Sequence, residues 1–446
     1  MTNSTPLSPT SLSRKAKESL GVDLTPSKAL RGVQEQEKLL FGDATESYAL
    51  LEKYIPALRL SDANHVVHCE FRELQDGQRE FDKIFWAYGP SIEGFKHCRS
   101  FLTVDACHIK TMYKGHMMIA VSLDAEGQIF PVAFSVVGGE TLANWRWFLN
   151  QLKSIVGERE LTIVADRNSG LQTALSEIFV DCHVAYCLEH LKANVRNNGG
   201  GTICSYLRKA AECVTEEDLT NVLEEMRAIS PRGYAYVQKL DFSKLIDVRF
   251  QGNRYGHYTS NISESLNAWI NKERKMPIVK SMEWMRRRLM KWFYERKKRS
   301  LTMNGVLVDS VEKKVSQIDD EARRLTVLPS SDTIFEVLSF PPRMVNLEER
   351  FCSCGEWKRI GIVCVHVLAV LLAQRLDYSE FCEEFYTTEQ YCKTYEIGLM
   401  PVASRQEWVP ENLDEPVLPE LQPPTGNRQS GRGRRQVNRR RGLGGR

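Results

Sequence analysis

FLTVDACHIK (residues 101–110) and LTIVADRNSG (161–170) each carry an apolar, β-branched run into a single aspartate, Asp105 and Asp166. Short runs of this kind, bounded by turn residues, read as buried strands. Arg167, Asn168, Ser169 and Gly170 then make a turn into a helical pattern. The segment closes on YCLEH (186–190), a Cys-x-x-His formed by Cys187 and His190. A mixed α/β fold with acids at its strand ends is expected, which is how a metal-dependent nuclease core looks in sequence.

A third carboxylate, Glu264, lies in NISESLNAWI (261–270), where Asn261 or Ser263 can cap a helix and Ile262, Leu266, Trp269 and Ile270 give it an apolar face. Divalent-ion phosphoryl transfer draws carboxylates from separate elements. Two ions about 3.5–4 Å apart must be held, and Mg²⁺ or Mn²⁺ takes oxygen ligands. Asp105, Asp166 and Glu264 meet that need as a catalytic set. Singly, each has a plainer reading: a strand-end turn acid, a helix-capping acid and a solvated position on an amphipathic helix.

Cys187 and His190 fall on one face of a single helical turn. That spacing fits a shared zinc, a contact from His190 to the carboxylates, or a buried thiol beside a packing imidazole. His108 and His183 have no partner at such spacing and read as strand-end residues. Near the C-terminus, Cys352-x-Cys354, nine intervening residues and Cys364-x-His366 supply three thiolates and an imidazole, a closed tetrahedral Zn²⁺ set. Disulfides are the alternative. The basic tail and the lack of a signal-peptide pattern place the chain in a reducing compartment, where disulfides are rare.

VDACHIKTMYKGHMMIAVSLDAEGQIFPVAFSVVGGETLANWRWFLNQL, IVADRNSGLQTAL and YCLEHLKANV together resemble the transposase domain of Mutator-like elements. ALLEKYIPALRLSDANHVV, DKIFWAYGPSIEGFKHCRSF, NISESLNAWINK and CSCGEWKRIGIVCVHVLAV resemble further blocks of that family in the same order, so the likeness runs from about Ala49 to about Val370. It implies a ribonuclease-H-like fold with a DDE triad, carried over as Asp105, Asp166 and Glu264, 61 and 98 residues apart. The larger gap fits a helical insertion at about 191–250. Cys187 and His190 match the family's Cys-x-x-His. Cys352, Cys354, Cys364 and His366 resemble the SWIM zinc finger, which implies DNA or protein binding. Ala106-Cys107 stands where family members usually have Gly-Thr. The zinc-binding DNA-recognition domain found upstream in longer members has no counterpart here.

With 42% hydrophobic and 26% charged residues the chain is ordinary for a globular protein, and no apolar run reaches the roughly 18–20 residues of a membrane span. The net charge of +3 conceals a sorting. Residues 421–446 hold eight arginines and no acid, which leaves −5 for the rest. This tail, with Arg434, Arg435, Arg439, Arg440 and Arg441, suits phosphate neutralisation, a nuclear localisation signal or plain solubility. A second basic run, Arg286, Arg287, Arg288, Lys291, Arg296, Lys297, Lys298 and Arg299, rides on a helix whose apolar stripe is Met282, Met285, Leu289 and Trp292. It reads as a DNA-facing surface, extended by Lys272, Arg274 and Lys275.

The expected organisation is a disordered stretch at 1–14 and a mostly helical region at 15–95 that is compatible with DNA contact. The catalytic domain follows at 96–300, a linker with helix at 301–340 and the finger at 341–375 as a module of its own. A C-terminal region at 376–420 and a disordered tail at 421–446 complete it. DKIFWAYG (82–89) is expected to be helical. The expected function is metal-dependent DNA cleavage and strand transfer by a nuclear protein, with DNA as partner and a homo-oligomer compatible. The rival is a domesticated transcriptional regulator that binds DNA without transposing.

Overall fold

The computed structural model describes residues 9–41, 44–75, 79–111, 114–259 and 261–409. Its centre is a seven-stranded sheet of β1 (Val66–Glu73), β2 (Arg79–Ala87), β3 (Phe101–His108), β4 (His116–Leu123), β5 (Ile129–Val137), β6 (Thr162–Ala165) and β7 (His183–Tyr186). The spatial order is β1-β2-β5-β4-β3-β6-β7. Neighbours from β1 to β3 are antiparallel, and β3, β6 and β7 run parallel. β4 and β5 are buried on both faces almost throughout, as their unbroken apolar sequences require.

Helices cover the sheet. Leu142–Val156 starts at Thr141, whose side chain accepts from the Asn144 N–H, and stops at Gly157 with φ +71°. Ser169–Ile178 starts at Asn168, which accepts from the Leu171 N–H at 3.1 Å. Asn261–Trp269 begins at Asn261 and packs against β3 and β4, with Ser263 buried inside it. The long helix Ile278–Ser300 buries Met282, Met285, Leu289 and Phe293. Between β7 and Asn261, short helices from Leu188–Asn197 to Pro231–Val237 enclose a separate small core around Leu191, Ile203, Leu207 and Met226.

A second, antiparallel sheet is built from β8 (Thr326–Pro329), β9 (Ile334–Leu338), β10 (Arg343–Asn346) and β11 (Phe351–Cys352), and is followed by the helix Val365–Gln374. Its buried residues, Phe335, Val337, Val345, Trp357, Val367 and Leu371, join one continuous core with the large sheet. The finger thus packs directly against the rest of the fold. Its sheet also reaches back into 301–340, so that stretch is more than a linker.

Two local expectations give way. Asp82–Ala87 is strand, not helix, because β2 is held between β1 and β5, where Ile84, Phe85 and Trp86 are fully buried. Residues 9–14 belong to the helix Pro9–Leu20 rather than to a disordered terminus. No helix among the described residues is long and apolar enough to cross a membrane. The tail arginines lie outside the described residues.

Candidate active site and zinc centre

Strand register assembles the first site. Val104 pairs with Ala165, and Ala165 with Tyr186. The next residue along each chain is Asp105, Asp166 and Cys187, which form a row across three parallel strands; Asp166 and Cys187 stand just past the ends of β6 and β7, whereas Asp105 lies inside β3, which runs on to His108 rather than ending on its acid. Adjacent strands are about 4.8 Å apart, so the two aspartates are neighbours by construction. His190 stands one residue position short of a full turn into the helix that Cys187 begins.

The electrostatics bear the marks of that crowding. Burial pushes Asp105 up to about 6; the charges of Glu140 and Asp166 push the same way, while His190 and the Ala106 N–H oppose them. The Asp105 carboxylate accepts from the Ala106 N–H at 2.9 Å and from Asn267 Nδ2 at 3.1 Å. Asp166 accepts from the Arg167 N–H at 2.6 Å. His190 rises to about 9, first through its hydrogen bond with Cys187 and then through the charges of Cys187, Asp166 and Asp105, against the effect of burial. The shift favours the charged form of the ring.

Glu264 is exposed. Its helix meets the site through other residues: Ser263, whose Oγ is 2.5 Å from Thr103 Oγ1, and Asn267, which holds Asp105. Among the described residues, the group of His, Cys, Asp or Glu side chains placed to hold a metal lies elsewhere, and Asp105, Asp166 and Glu264 do not form one. Sequence reasoning missed Asn267, although it lies three positions after Glu264 and therefore on a neighbouring face of the same helix. It also missed Glu140, which follows Gly138-Gly139 directly ahead of the Thr141 cap.

The second site is that metal-holding group. Cys352 on β11, Cys354 in the turn after it, Cys364 at the start of the last finger helix and His366 inside that helix bring their ligand atoms within 4.8 Å of one another. Three soft sulfurs and an imidazole nitrogen in so small a volume suit tetrahedral Zn²⁺, with Zn–S of about 2.3 Å and Zn–N of about 2.0 Å. Hydrogen bonds from Cys352 and Cys364 drive Cys354 well below the usual thiol range, toward the thiolate that binds metal. Gly355, with φ +73°, is left-handed, and a Cβ there would strike Val214 of the helical insertion. Asn253 donates to the Lys358 carbonyl at 2.6 Å, and Trp357 Nε1 to the Phe381 carbonyl at 2.9 Å. The metal-bearing turn is thus seated on both neighbours.

The basic helix is less basic outside than its sequence suggests. Arg286 is 2% exposed; its guanidinium binds Glu283 at 2.8 Å and the Met400 carbonyl at 2.7 Å. Arg288 binds Glu273 at 2.6 Å and lies over the Trp269 ring, and Arg296 binds Tyr395 and the Ile129 carbonyl. These three hold the fold, so their assignment to a DNA surface is corrected. Arg287 and Lys291 do face solvent, at 60% and 74% side-chain exposure. Arg286→Ala is expected to cost about 3 kcal/mol, because Glu283 stays buried without its main partner. A denaturant melt measures it, and the salt dependence of DNA affinity should not move.

Residues 101–194 match the MULE transposase domain and residues 337–374 the SWIM zinc finger. Over 153 residues, 34% of this chain, the sequence is 22% identical to Protein FAR1-RELATED SEQUENCE 6 of Arabidopsis thaliana. Over 206 residues, 45% of this chain, it is 23% identical to PKS-NRPS hybrid synthetase cheA of Chaetomium globosum. The matches span 21% of the first relative and 4% of the second, so neither relative's whole-protein activity transfers. The chain carries a MULE transposase domain and, downstream of it, a SWIM zinc finger built on Cys352, Cys354, Cys364 and His366.

Proposed function

We propose that the chain is a DDE-type transposase of the Mutator-like kind, with a ribonuclease-H-like catalytic domain. It cleaves a DNA phosphodiester by hydrolysis and transfers the freed 3′ hydroxyl to target DNA. The observation that carries this reading is the row of Asp105 on β3 and Asp166 just past the end of the adjacent parallel strand β6, beside four antiparallel strands. Hard oxygen donors, and a carboxyl raised first by burial and further by neighbouring negative charge, suit a divalent cation. Mg²⁺ or Mn²⁺ held there would supply an activated water and offset charge on the attacking and leaving oxygens.

Asp105 and Asp166 would hold the ion, with Asn267 orienting Asp105. Glu264 is the third carboxylate and must approach from its exposed place on the helix Asn261–Trp269. His190 balances the pair of aspartates and keeps their charge in place. Water attacks phosphorus, the P–O3′ bond breaks, and the departing 3′ oxygen takes up a proton. In the second step that 3′ hydroxyl attacks a target phosphodiester, so one P–O bond forms as another breaks.

DNA is the proposed partner and the nucleus the proposed location. Each tail arginine that engages a phosphate steepens the fall of log affinity with log salt by about 0.9. Deleting residues 426–446 should therefore flatten that slope and weaken nonspecific binding. An unchanged slope in a filter-binding titration, together with unchanged nuclear import, would make the tail a solubiliser only.

One observation favours the second reading, a domesticated DNA-binding regulator: Glu264 stands apart from the two aspartates. Labelled DNA carrying the repeats that flank the element's own locus decides between them. Metal-dependent nicking and strand transfer by the wild-type chain support the transposase. A chain that binds this DNA yet leaves it intact with either ion is the regulator.

A further inference from the structure

Strands β3, β4 and β5 bring three side chains to the same end of the sheet as Asp105 and Asp166. His108 ends β3 and pairs with His116 at the start of β4, which in turn pairs with Val137 at the end of β5. Glu140 follows three residues later. Its Oε1 is 3.5 Å from His116 Nε2, and the rings of His116 and His108 are 4.5 Å apart. The loop that bears Glu140 is fixed rather than loose: Asn144 Nδ2 donates to the Gly139 carbonyl at 2.8 Å, and Thr141 caps the helix behind it.

That loop also touches the Asp166 turn. A Cβ on Gly170 would lie 3.2 Å from the Leu142 backbone nitrogen and 3.3 Å from the Leu142 Cα, so the chain just after Asp166 and the chain just after Glu140 are in backbone contact. Glycine at 170 is what permits the approach. Glu140 is partly open to solvent, which leaves its carboxylate accessible.

We propose that Glu140 is a further carboxylate of this active site, a ligand to one of its divalent cations, oriented by His116 with His108 packed behind it. The proposal deepens the transposase reading and rests on it. Three features support the assignment. The site already has two aspartates and needs oxygen ligands from a separate element to hold two ions. Glu140 comes from such an element, and its loop is packed against that of Asp166. Metal-binding carboxylates are commonly flanked by an outer polar partner, and His116 Nε2, 3.5 Å from Glu140 Oε1, stands in that position.

The test is a Mn²⁺ titration of the full zinc-loaded chain by calorimetry, with no DNA present. Glu140→Gln keeps the shape and removes the charge, and a melt checks that it folds. The expected result is apparent Mn²⁺ affinity lower by about 10-fold or more, with Asp105→Asn at least as severe and His116→Gln milder. If Glu140→Gln binds Mn²⁺ as wild type does while Asp105→Asn does not, the Glu140 assignment is overturned and the transposase reading stands. If the wild-type chain takes up no Mn²⁺, both fall. A weakening by Glu264→Gln in addition to that by Glu140→Gln supports a site of four carboxylates.

Discussion

Cys354→Ser is expected to release one zinc per chain and to destabilise the whole protein, not only the finger. A structural zinc contributes about 10–16 kcal/mol in isolated fingers, as much as the entire net stability of an ordinary domain. An independent module would confine that loss to residues near 341–375. Here the finger's Trp357, Val367 and Leu371 belong to the same core as the large sheet, and Gly355 rests on Val214 of the helical insertion. Tyr386 hydrogen-bonds the Ile360 carbonyl at 2.8 Å, while Tyr395, nine residues on, reaches Asp124 at the end of β4 at 2.7 Å. The finger is linked to the large sheet from both sides. A loss of even about 5 kcal/mol should lower the main melting transition by about 10 °C or more. Metal analysis and calorimetry decide it. Unchanged zinc content would remove the metal assignment, and a main transition left at its wild-type temperature would show the finger to be autonomous after all.

What can be read from the residues alone follows the range of the interactions involved. The four zinc ligands lie within fifteen positions, so spacing is enough to name them. Asp105 and Asp166 are legible because an apolar run carried into an acid is a local pattern, although β3 continues past Asp105 to His108; their being neighbours depends on the β3–β6 register, which no single segment encodes. Glu140 is invisible for the same reason, since its partners arrive from β3, β4 and β6. The helix at 278–300 misleads in another way. Its charged face reads as solvated, but Met400, more than a hundred residues later, lies over Arg286. DKIFWAYG misleads because its aromatic run suits a helix or a strand, and pairing between β1 and β5 decides for strand.

Asp105→Asn should abolish metal-dependent DNA cleavage and, without added Mg²⁺ or Mn²⁺, make the protein more stable. The loss follows from removing an ion's ligand. A few kcal/mol of charge stabilisation in the transition state, about 4, corresponds to about 10³-fold in rate. The gain follows from linkage. Burial and the nearby charges of Glu140 and Asp166 raise Asp105 from 3.8 to about 6 in the folded chain. The folded state therefore holds the proton more tightly than the unfolded one, and stability declines as pH rises from about 4 to about 6. Ionising so raised a carboxyl costs the folded state about 3 kcal/mol, an upper figure, and the uncharged asparagine side chain of the variant escapes that cost. The melting temperatures of variant and wild type should thus nearly coincide near pH 3.5, below the unfolded value of 3.8, and separate by about 2–6 °C in favour of the variant at pH 7. Adding Mn²⁺ should close the gap, since the ion stabilises the wild type by binding and the variant hardly at all. A variant less stable than wild type at pH 7 would mean that Asp105 is a structural acid, held in place by Asn267 and His190. A gap that Mn²⁺ leaves untouched would mean that this crowded carboxylate is not where the cation goes.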